Sequence, residues 1–303
     1  MSDPELSTFI SATAMAAEVT TLNAACRRSD GAEPFNEDTM LSLAERSGGA
    51  LRGSEGELLA LALVRQDGDD AHELELAVSP DVRGRGHGRQ LAETFLKDAE
   101  EAGITARAWA HGDGAPARGL AESLGMREER LLLKLAARLD PAIHGSPQDS
   151  PRIRAFTMDR LDEVLRVNRR AFADHPEQGS LNRDGFLART RESWWWPERL
   201  LLALSEDDRV LGFHWLKVTE NEAEVYVLAV DPEAAGRGIG RALMHAGLAR
   251  LVEEGHEEVV LYVDGGNTTA VKLYRSLGFD EAHRDIRWEQ PPSAADPRSF
   301  TEA

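Results

Sequence analysis

Two glycine-rich stretches are the first candidates for chemistry in this chain. Residues 79–89 read SPDVRGRGHGR and residues 231–241 read DPEAAGRGIGR, each ahead of a helical pattern. Glycines at this spacing leave backbone N–H groups exposed at the positive end of the helix dipole, with no side chains to block close approach. Such a loop is suited to bind phosphates, most naturally a pyrophosphate. Glycines also occur where helices only pack closely, so other residues must decide between these interpretations.

The elements that must position the two loops recur in the same order in each half of the chain. A helix is predicted after each loop, because apolar residues share one face there: Leu91, Phe95, Leu96 and Ala99 in the first half, and Ile239, Leu243, Gly247 and Leu251 in the second. Strands are predicted at 58–64, 73–78, 104–110, 131–139, 200–205, 210–218, 223–230 and 258–264.

Aligning the halves indicates an internal duplication. LAVSPDVRGRGHGRQL from Leu76 matches LAVDPEAAGRGIGRAL from Leu228 at an offset of 152. LAESLGM at 120–126 matches LYRSLGF at 273–279 at an offset of 153, and two near-equal offsets are typical of a repeat. We predict an α+β fold with domains at 1–140 and 153–303, each a mostly antiparallel mixed β-sheet flanked by helices, and a linker at 141–152.

Composition excludes several other classes of protein. The net charge of −18 argues against nucleic-acid binding, and it fits either simple solubility or attraction of a cationic, amine-bearing substrate. No apolar run approaches the roughly 20 residues that span a bilayer, so we expect no membrane segment. The lone Cys26 excludes an intrachain disulfide and fits a reducing cytoplasm. The histidines show no ligand spacing, so we expect no metal.

The loops fit two common nucleotide-binding classes poorly. The chain has no G-x-x-x-x-G-K-[ST], which excludes a P-loop nucleotidase. Each loop also follows a strand inside an antiparallel series, and a Rossmann glycine loop instead opens a βαβ unit.

The loops resemble those of the Gcn5-related N-acetyltransferase (GNAT) superfamily, which read Gln/Arg-x-x-Gly-x-Gly/Ala and bind the pyrophosphate of acetyl-CoA. RGRGHG at 83–88 fits this pattern fully, whereas AGRGIG at 235–240 has Ala235 in place of Gln or Arg. NTTAVKLYRSLGF at 267–279 is similar to the superfamily's closing motif. The resemblance implies acetyl-CoA as the acetyl donor, bound at Leu76, Ala77, Val78, Gly84, Arg85, Gly86, His87, Gly88 and Arg89, and at Leu228, Ala229, Val230, Ala235, Gly236, Arg237, Gly238, Ile239, Gly240, Arg241, Asn267, Thr268, Thr269, Ala270, Val271 and Lys272.

The resemblance also implies direct transfer of the acetyl group to an amine, with a carboxylate base and a tyrosine acid. Tyr274 lies where the superfamily often has its acid, and Glu224 begins the strand that leads to the second loop. The matching residues of the first half are Ala121 and His72, and Gly114 matches Asn267. We therefore predict catalysis in the second half only.

The tandem arrangement resembles superfamily members that acetylate the cysteinyl amine of cysteinyl-glucosaminyl-inositol. By this resemblance the acceptor contacts Glu37, Glu177, Lys217, Glu224 and Tyr262. Another small amine, such as an aminoglycoside, and a non-catalytic acetyl-CoA-binding regulatory module stay open as alternatives. The run WWW at 194–196 is expected to pack in the core or to form a wall of the acceptor cleft. We expect a monomer, because the duplication itself can supply the pairing of two domains.

Overall fold

The computed structural model describes residues 5–31, 33–35, 37–68, 70–140, 152–173 and 181–292, with backbone only for residues 5–10, 37 and 38. The chain divides into two compact units. The first unit is built from residues up to Leu132 and from His283 onward, and the second unit is Leu133–Ala282.

The described strands and helices follow one another in a repeated α+β order. The strands are β1 Glu5–Ser11, β2 Ser47–Arg52, β3 Leu58–Gln66, β4 Ala71–Val78, β5 Thr105–His111, β6 Arg127–Arg138, β7 Arg152–Ala155, β8 Leu200–Leu204, β9 Val210–Val218, β10 Ala223–Val230, β11 Glu258–Asp264 and β12 Asp280–Gln290. The helices are α1 Ala16–Asp30, α2 Glu37–Leu41, α3 His87–Ala102, α4 Ala115–Ser123, α5 Leu161–Ala171, α6 Arg183–Arg189, α7 Ile239–Glu253 and α8 Thr268–Arg275.

The first unit is a mixed sheet in the order β1-β2-β3-β4-β5-β12. Strands β1 to β4 pair antiparallel, and β4 pairs parallel to β5 through the crossover helix α3. Leu91, Phe95 and Ala99 of α3 are buried against the sheet, because their spacing places them on one face of the helix. Strand β12 completes this sheet by pairing antiparallel to β5.

The second unit repeats this plan in the order β7-β8-β9-β10-β11, with the last residues of β6 beside β11. Strands β7 to β10 are antiparallel, and α7 is the crossover between the parallel pair β10 and β11. Its core centres on Phe186, Phe213 and Trp215, which are fully buried. Close packing of α7 on β9 depends on Gly247, since a Cβ there would lie 2.2 Å from the ring of His214.

The eight predicted strands and both helical patterns are confirmed, and four described strands were missed from the sequence. Strand β2 contains two glycines, and β12 reads DEAHRDIRWEQ with only Ile286 and Trp288 buried. The predicted domain ranges stay a prediction, and the first unit takes residues from His283 that the predicted second domain included. Of the predicted linker only Arg152 is described, as the first residue of β7.

No helix in the described ranges is long and apolar enough to cross a membrane.

Candidate active site

Strands β10 and β11 separate beside the second glycine loop. Their parallel register covers Glu224–Val260 and Val225–Leu261, and β10 continues to Val230 beyond that register. A bulge between Val225 and Val227 also interrupts the pairing of β10 with β9. Backbone N–H and C=O groups that are not hydrogen-bonded to a neighbouring strand need other hydrogen-bond partners. The separated strands are therefore suited to bind a ligand that carries amide or carbonyl groups.

The second glycine loop forms an open cradle at the start of α7. Gly236 and Gly238 have φ of 76° and 75°, a conformation that favours glycine, and Gly238 is the N-cap of the helix. A Cβ built on either glycine meets no protein atom within 4 Å. The space over the loop is thus open to a ligand, and the helix dipole favours an anion there.

An arginine clamp holds this loop to helix α5. Asp231 accepts from Arg166 and from the backbone of Glu233, and Arg170 lies 3.3 Å from Asp231 and 2.8 Å from Glu233. Although burial opposes it, these hydrogen bonds hold the pKa of Asp231 below its usual value. The anchored carboxylate fixes the turn that leads into the glycines.

The first glycine loop has the same backbone but a different anchor. Gly84 and Gly86 have φ of 73° and 89°, again with open space around a built Cβ. Arg83 does not face that space, because its guanidinium forms two 2.7 Å bonds to Asp30 and one to the Cys26 sulfur at 3.3 Å. The residue that best fits the GNAT loop pattern therefore serves as a structural anchor here.

Two predicted loop arginines also bond to neighbouring helices. Arg241 donates to the Ser276 hydroxyl at 2.8 Å, and Arg89 donates to Ser123 at 2.6 Å. Arg241 thus joins helix α7 to the end of α8, and Arg89 joins α3 to the end of α4. The same contact therefore occurs in both units.

Glu224 lies in a cluster of charged groups in the second unit. It stands opposite Lys217 in the β9–β10 register, with Nζ 3.8 Å from Oε2. The side chain of Glu224 is only 16% exposed, and burial raises its pKa, with Lys217 and Lys134 opposing the rise and Glu222 adding to it. A carboxylate with a raised pKa is a better proton acceptor near neutral pH.

Tyr262 joins this cluster through a residue that the sequence did not single out. Lys134 on β6 lies 5.4 Å from the centre of the Tyr262 ring and 2.5 Å from Glu222. Tyr262 is 47% exposed, so its ring can still meet a ligand. We call Lys134, Lys217, Glu222, Glu224 and Tyr262 the Glu224 cluster. Of these, Lys217, Glu224 and Tyr262 were predicted.

Two aromatic rings lie near Lys217 of the Glu224 cluster. Lys217 Nζ lies 6.0 Å from the Trp194 ring and 5.9 Å from the Tyr226 ring, and Arg189 donates to the Tyr226 hydroxyl at 2.8 Å. Trp194 and Trp195 pack against the buried core, whereas Trp196 is exposed. Core packing is therefore confirmed for the first two tryptophans, and a wall of the acceptor cleft stays a prediction for Trp196.

Asn267 and Tyr274 belong to helix α8. The Asn267 side chain accepts from the backbone of Ala270 at 3.1 Å and so caps the helix. Tyr274 is buried and packs on Phe279, with ring centres 5.9 Å apart. Burial raises the pKa of Tyr274 to about 12, so this phenol stays protonated at neutral pH.

The first unit has different residues at the matching positions. Ala121 is buried, Gly114 caps α4 without a side chain, and His72 stands on β4. Near the end of β4 the structure instead places a buried charge network. Glu75 binds His111 at 2.7 Å, and His111 lies 3.2 Å from Asp285.

Two predicted acceptor contacts have no described side chain. Glu37 begins helix α2 with its backbone alone described. Glu177 lies outside the described residues. Both stay predictions.

Comparison with known proteins identifies the family. Residues 17–126 and 166–279 match the model of the acetyltransferase (GNAT) family. The chain belongs to the GNAT acetyltransferase family. It carries two GNAT domains in tandem and is an N-acetyltransferase.

Curated relatives and solved structures agree with this GNAT assignment. The chain is 44% identical over 271 residues to a mycothiol acetyltransferase of Clavibacter sepedonicus, covering 87% of this chain and 88% of the relative. It is 40% identical to one of Thermomonospora curvata, covering 96% of each chain. A GNAT protein from Sphaerobacter thermophilus has a similar fold, with a TM-score of 0.71 at 24% identity, covering 91% of this chain and 93% of that one. A tandem GNAT protein from the clavulanic acid biosynthesis pathway has a TM-score of 0.70 at 18% identity, covering 96% and 100%.

Proposed function

We propose that this chain transfers an acetyl group from acetyl-CoA to the cysteinyl amine of cysteinyl-glucosaminyl-inositol, forming mycothiol. The observation that carries the proposal is the 44% identity, over most of both chains, to a protein named for mycothiol acetylation. The polar groups of the Glu224 cluster are compatible with this acceptor, because a pseudodisaccharide rich in hydroxyls needs many hydrogen-bond partners.

Acetyl-CoA fits the second unit in two places. The open cradle at Gly236 and Gly238 can receive its pyrophosphate, since backbone N–H groups and the helix dipole both favour an anion there. The gap beyond Val225 between β10 and β11 can receive the amide groups of its pantetheine arm. The same backbone groups would stabilise the oxyanion that forms when the thioester carbonyl is attacked.

In this mechanism Glu224 accepts one proton from the acceptor ammonium, directly or through water, and releases it to solvent. The neutral amine forms the new C–N bond to the thioester carbon. The C–S bond then breaks, and the sulfur leaves as the CoA thiol with a proton donated by Tyr274. The nitrogen loses its second proton, which returns Tyr274 to the neutral phenol through solvent. The buried phenol stays protonated until the thiolate develops.

We assign catalysis to the second unit alone. The first unit has Ala121 where the acid would stand and His72 where the base would stand. Its glycine cradle is nevertheless open, which supports acetyl-CoA binding there without turnover. Calorimetric titration with acetyl-CoA separates one bound equivalent from two. A monomeric state and a cytoplasmic location stay predictions.

A panel of amines tests the acceptor. The purified protein is given acetyl-CoA with cysteinyl-glucosaminyl-inositol, an aminoglycoside or simple primary amines, and released CoA thiol is measured. We expect the highest kcat/KM with cysteinyl-glucosaminyl-inositol. A higher kcat/KM with another amine would identify that amine as the acceptor in place of cysteinyl-glucosaminyl-inositol. No thiol release with any amine would favour a regulatory acetyl-CoA-binding module.

Tyr274→Phe tests the acid. We expect kcat to fall about 10²-fold or more, in line with the contribution of a positioned proton donor, with acetyl-CoA affinity nearly unchanged. Phenylalanine keeps the packing on Phe279, so a folded variant is expected. Unchanged turnover would remove Tyr274 from the mechanism.

A further inference from the structure

Glu224 is surrounded by polar and charged groups from three strands and one turn. Lys217 faces it from β9, Lys134 from β6 and Tyr262 from β11, and Glu222 closes the β9–β10 turn two residues earlier. Glu222 lies in the turn just before β10, and its negative charge contributes to the raised pKa of Glu224. The negative charges of two acids thus balance the positive charges of two lysines at one site.

Lys134 is bound more closely to Glu222 than Lys217 is to Glu224. Its Nζ lies 2.5 Å from Glu222, while Lys217 lies 3.8 Å from Glu224. Although burial opposes it, the bond to Glu222 and the Tyr262 ring raise the pKa of Lys134, so this lysine is charged throughout the neutral range. Glu222 is therefore paired with Lys134, and Glu224 is the carboxylate with the weaker ion pair.

We propose that the Lys134–Glu222 ion pair is a positioning element of the acetyl transfer, which fixes the net charge beside Glu224 and so sets the pH above which Glu224 accepts the amine proton. The proposal rests on the role of Glu224 given above. Neither partner needs to touch the reacting atoms, because their effect reaches Glu224 through the field of the pair. Lys134 also holds the exposed Tyr262 ring at the edge of the cluster.

The two partners act on Glu224 with opposite sign, which makes the proposal testable. Lys134→Met removes a cation and leaves Glu222 unpaired, and both changes favour protonated Glu224. In the plot of kcat/KM against pH, the acid limb is the fall in activity at low pH where Glu224 becomes protonated. This limb should therefore move to higher pH. Glu222→Gln removes an anion, so the acid limb should move to lower pH. We expect each shift to be roughly 0.3–1 pH unit, because the side chains are partly exposed and solvent screens them.

The double variant Lys134→Met/Glu222→Gln should return the acid limb toward its wild-type position, since the net charge is restored. Glu254→Gln is the matched control. It removes a carboxylate that binds Arg199 at 2.8 Å in the same unit, outside the Glu224 cluster, and should leave the limb unchanged. Shifts of equal sign in the two single variants, or no shift in either, would overturn the proposal.

A titration without turnover separates this proposal from the proposed function. With ¹³C-labelled glutamate carboxyl groups, the NMR titration of Glu224 in the free protein should show the same opposite shifts. If the wild-type protein acetylates no amine while these shifts appear, the proposed function is wrong, and only the effect of the ion pair on the pKa of Glu224 stands. If the protein is active and the shifts are absent, only the charge pair is wrong.

Discussion

Gly238→Ala and Gly86→Ala form a matched pair of substitutions in the two glycine loops. Both glycines are N-caps with positive φ, 75° and 89°, and a Cβ on either meets open space. An L-residue in this conformation costs about 1–2 kcal/mol, and alanine recovers about 0.4–1 kcal/mol by restricting the unfolded chain. Each variant should therefore lose roughly 1 kcal/mol of unfolding free energy, and the two losses should be similar.

Their effects on activity should differ. In Gly238→Ala the new methyl group projects into the cradle where the donor's pyrophosphate is proposed to bind, so the KM for acetyl-CoA should rise at least about tenfold, equivalent to 1.4 kcal/mol. Gly86→Ala should leave kcat and KM near their wild-type values, because the first unit carries no turnover in our proposal. Steady-state kinetics with varied acetyl-CoA, together with chemical denaturation of both variants, measures these quantities. An equal rise in the KM for acetyl-CoA in the two variants would refute the assignment of catalysis to one unit.

Three further substitutions test the packing and the charge network. Gly247→Ala forces a methyl group to 2.2 Å from the buried His214 ring and should lower the unfolding free energy by about 1–3 kcal/mol. Gly119→Ala in helix α4 is the control: its methyl group would meet no atom within 4 Å, and the variant should raise the unfolding free energy by up to about 1 kcal/mol. Denaturant midpoints compare the two variants. Burial alone would lower the pKa of His111, but hydrogen bonds with Asp285 and Glu75 raise it from 6.5 to about 9. This stabilisation is complete below pH 6.5 and is lost as pH rises through about 9, so His111→Gln should cost roughly 2–4 kcal/mol at pH 6 and much less at pH 10. A cost independent of pH in denaturation curves would contradict the charged state of His111.

The sequence revealed the repeated core of the fold because its signals are local. The loops, the helical faces and the eight predicted strands are set by residues close together in the chain, and they recur at offsets of 152 and 153. Strand β12 was missed because its charged residues conceal the alternation that buries Ile286 and Trp288. Those charges are paired with distant residues, as Arg287 is with Glu129, and such pairing is visible only in the folded chain.

The candidate site was predicted in part for the same reason. Glu224 and Lys217 lie on consecutive strands, so a short hairpin is enough to bring them together. Lys134 lies on a strand that the sequence assigned to the other domain, and nothing local indicates that it meets Glu222. The buried network of Glu75, His111 and Asp285 also joins three separate strands, and each member alone reads as an ordinary surface charge.

Strand β12 affects how the first unit is made on the ribosome. The unit lacks its last strand until synthesis has passed residue 290, about 160 residues after Leu132. At about 5–20 residues per second this interval lasts roughly 8–32 s. During this time the hydrogen-bonding edge of β5 that β12 later covers is open to other chains. The amino-terminal unit is therefore the last to be finished, and a nascent chain that stops short of β12 carries an exposed edge prone to aggregation.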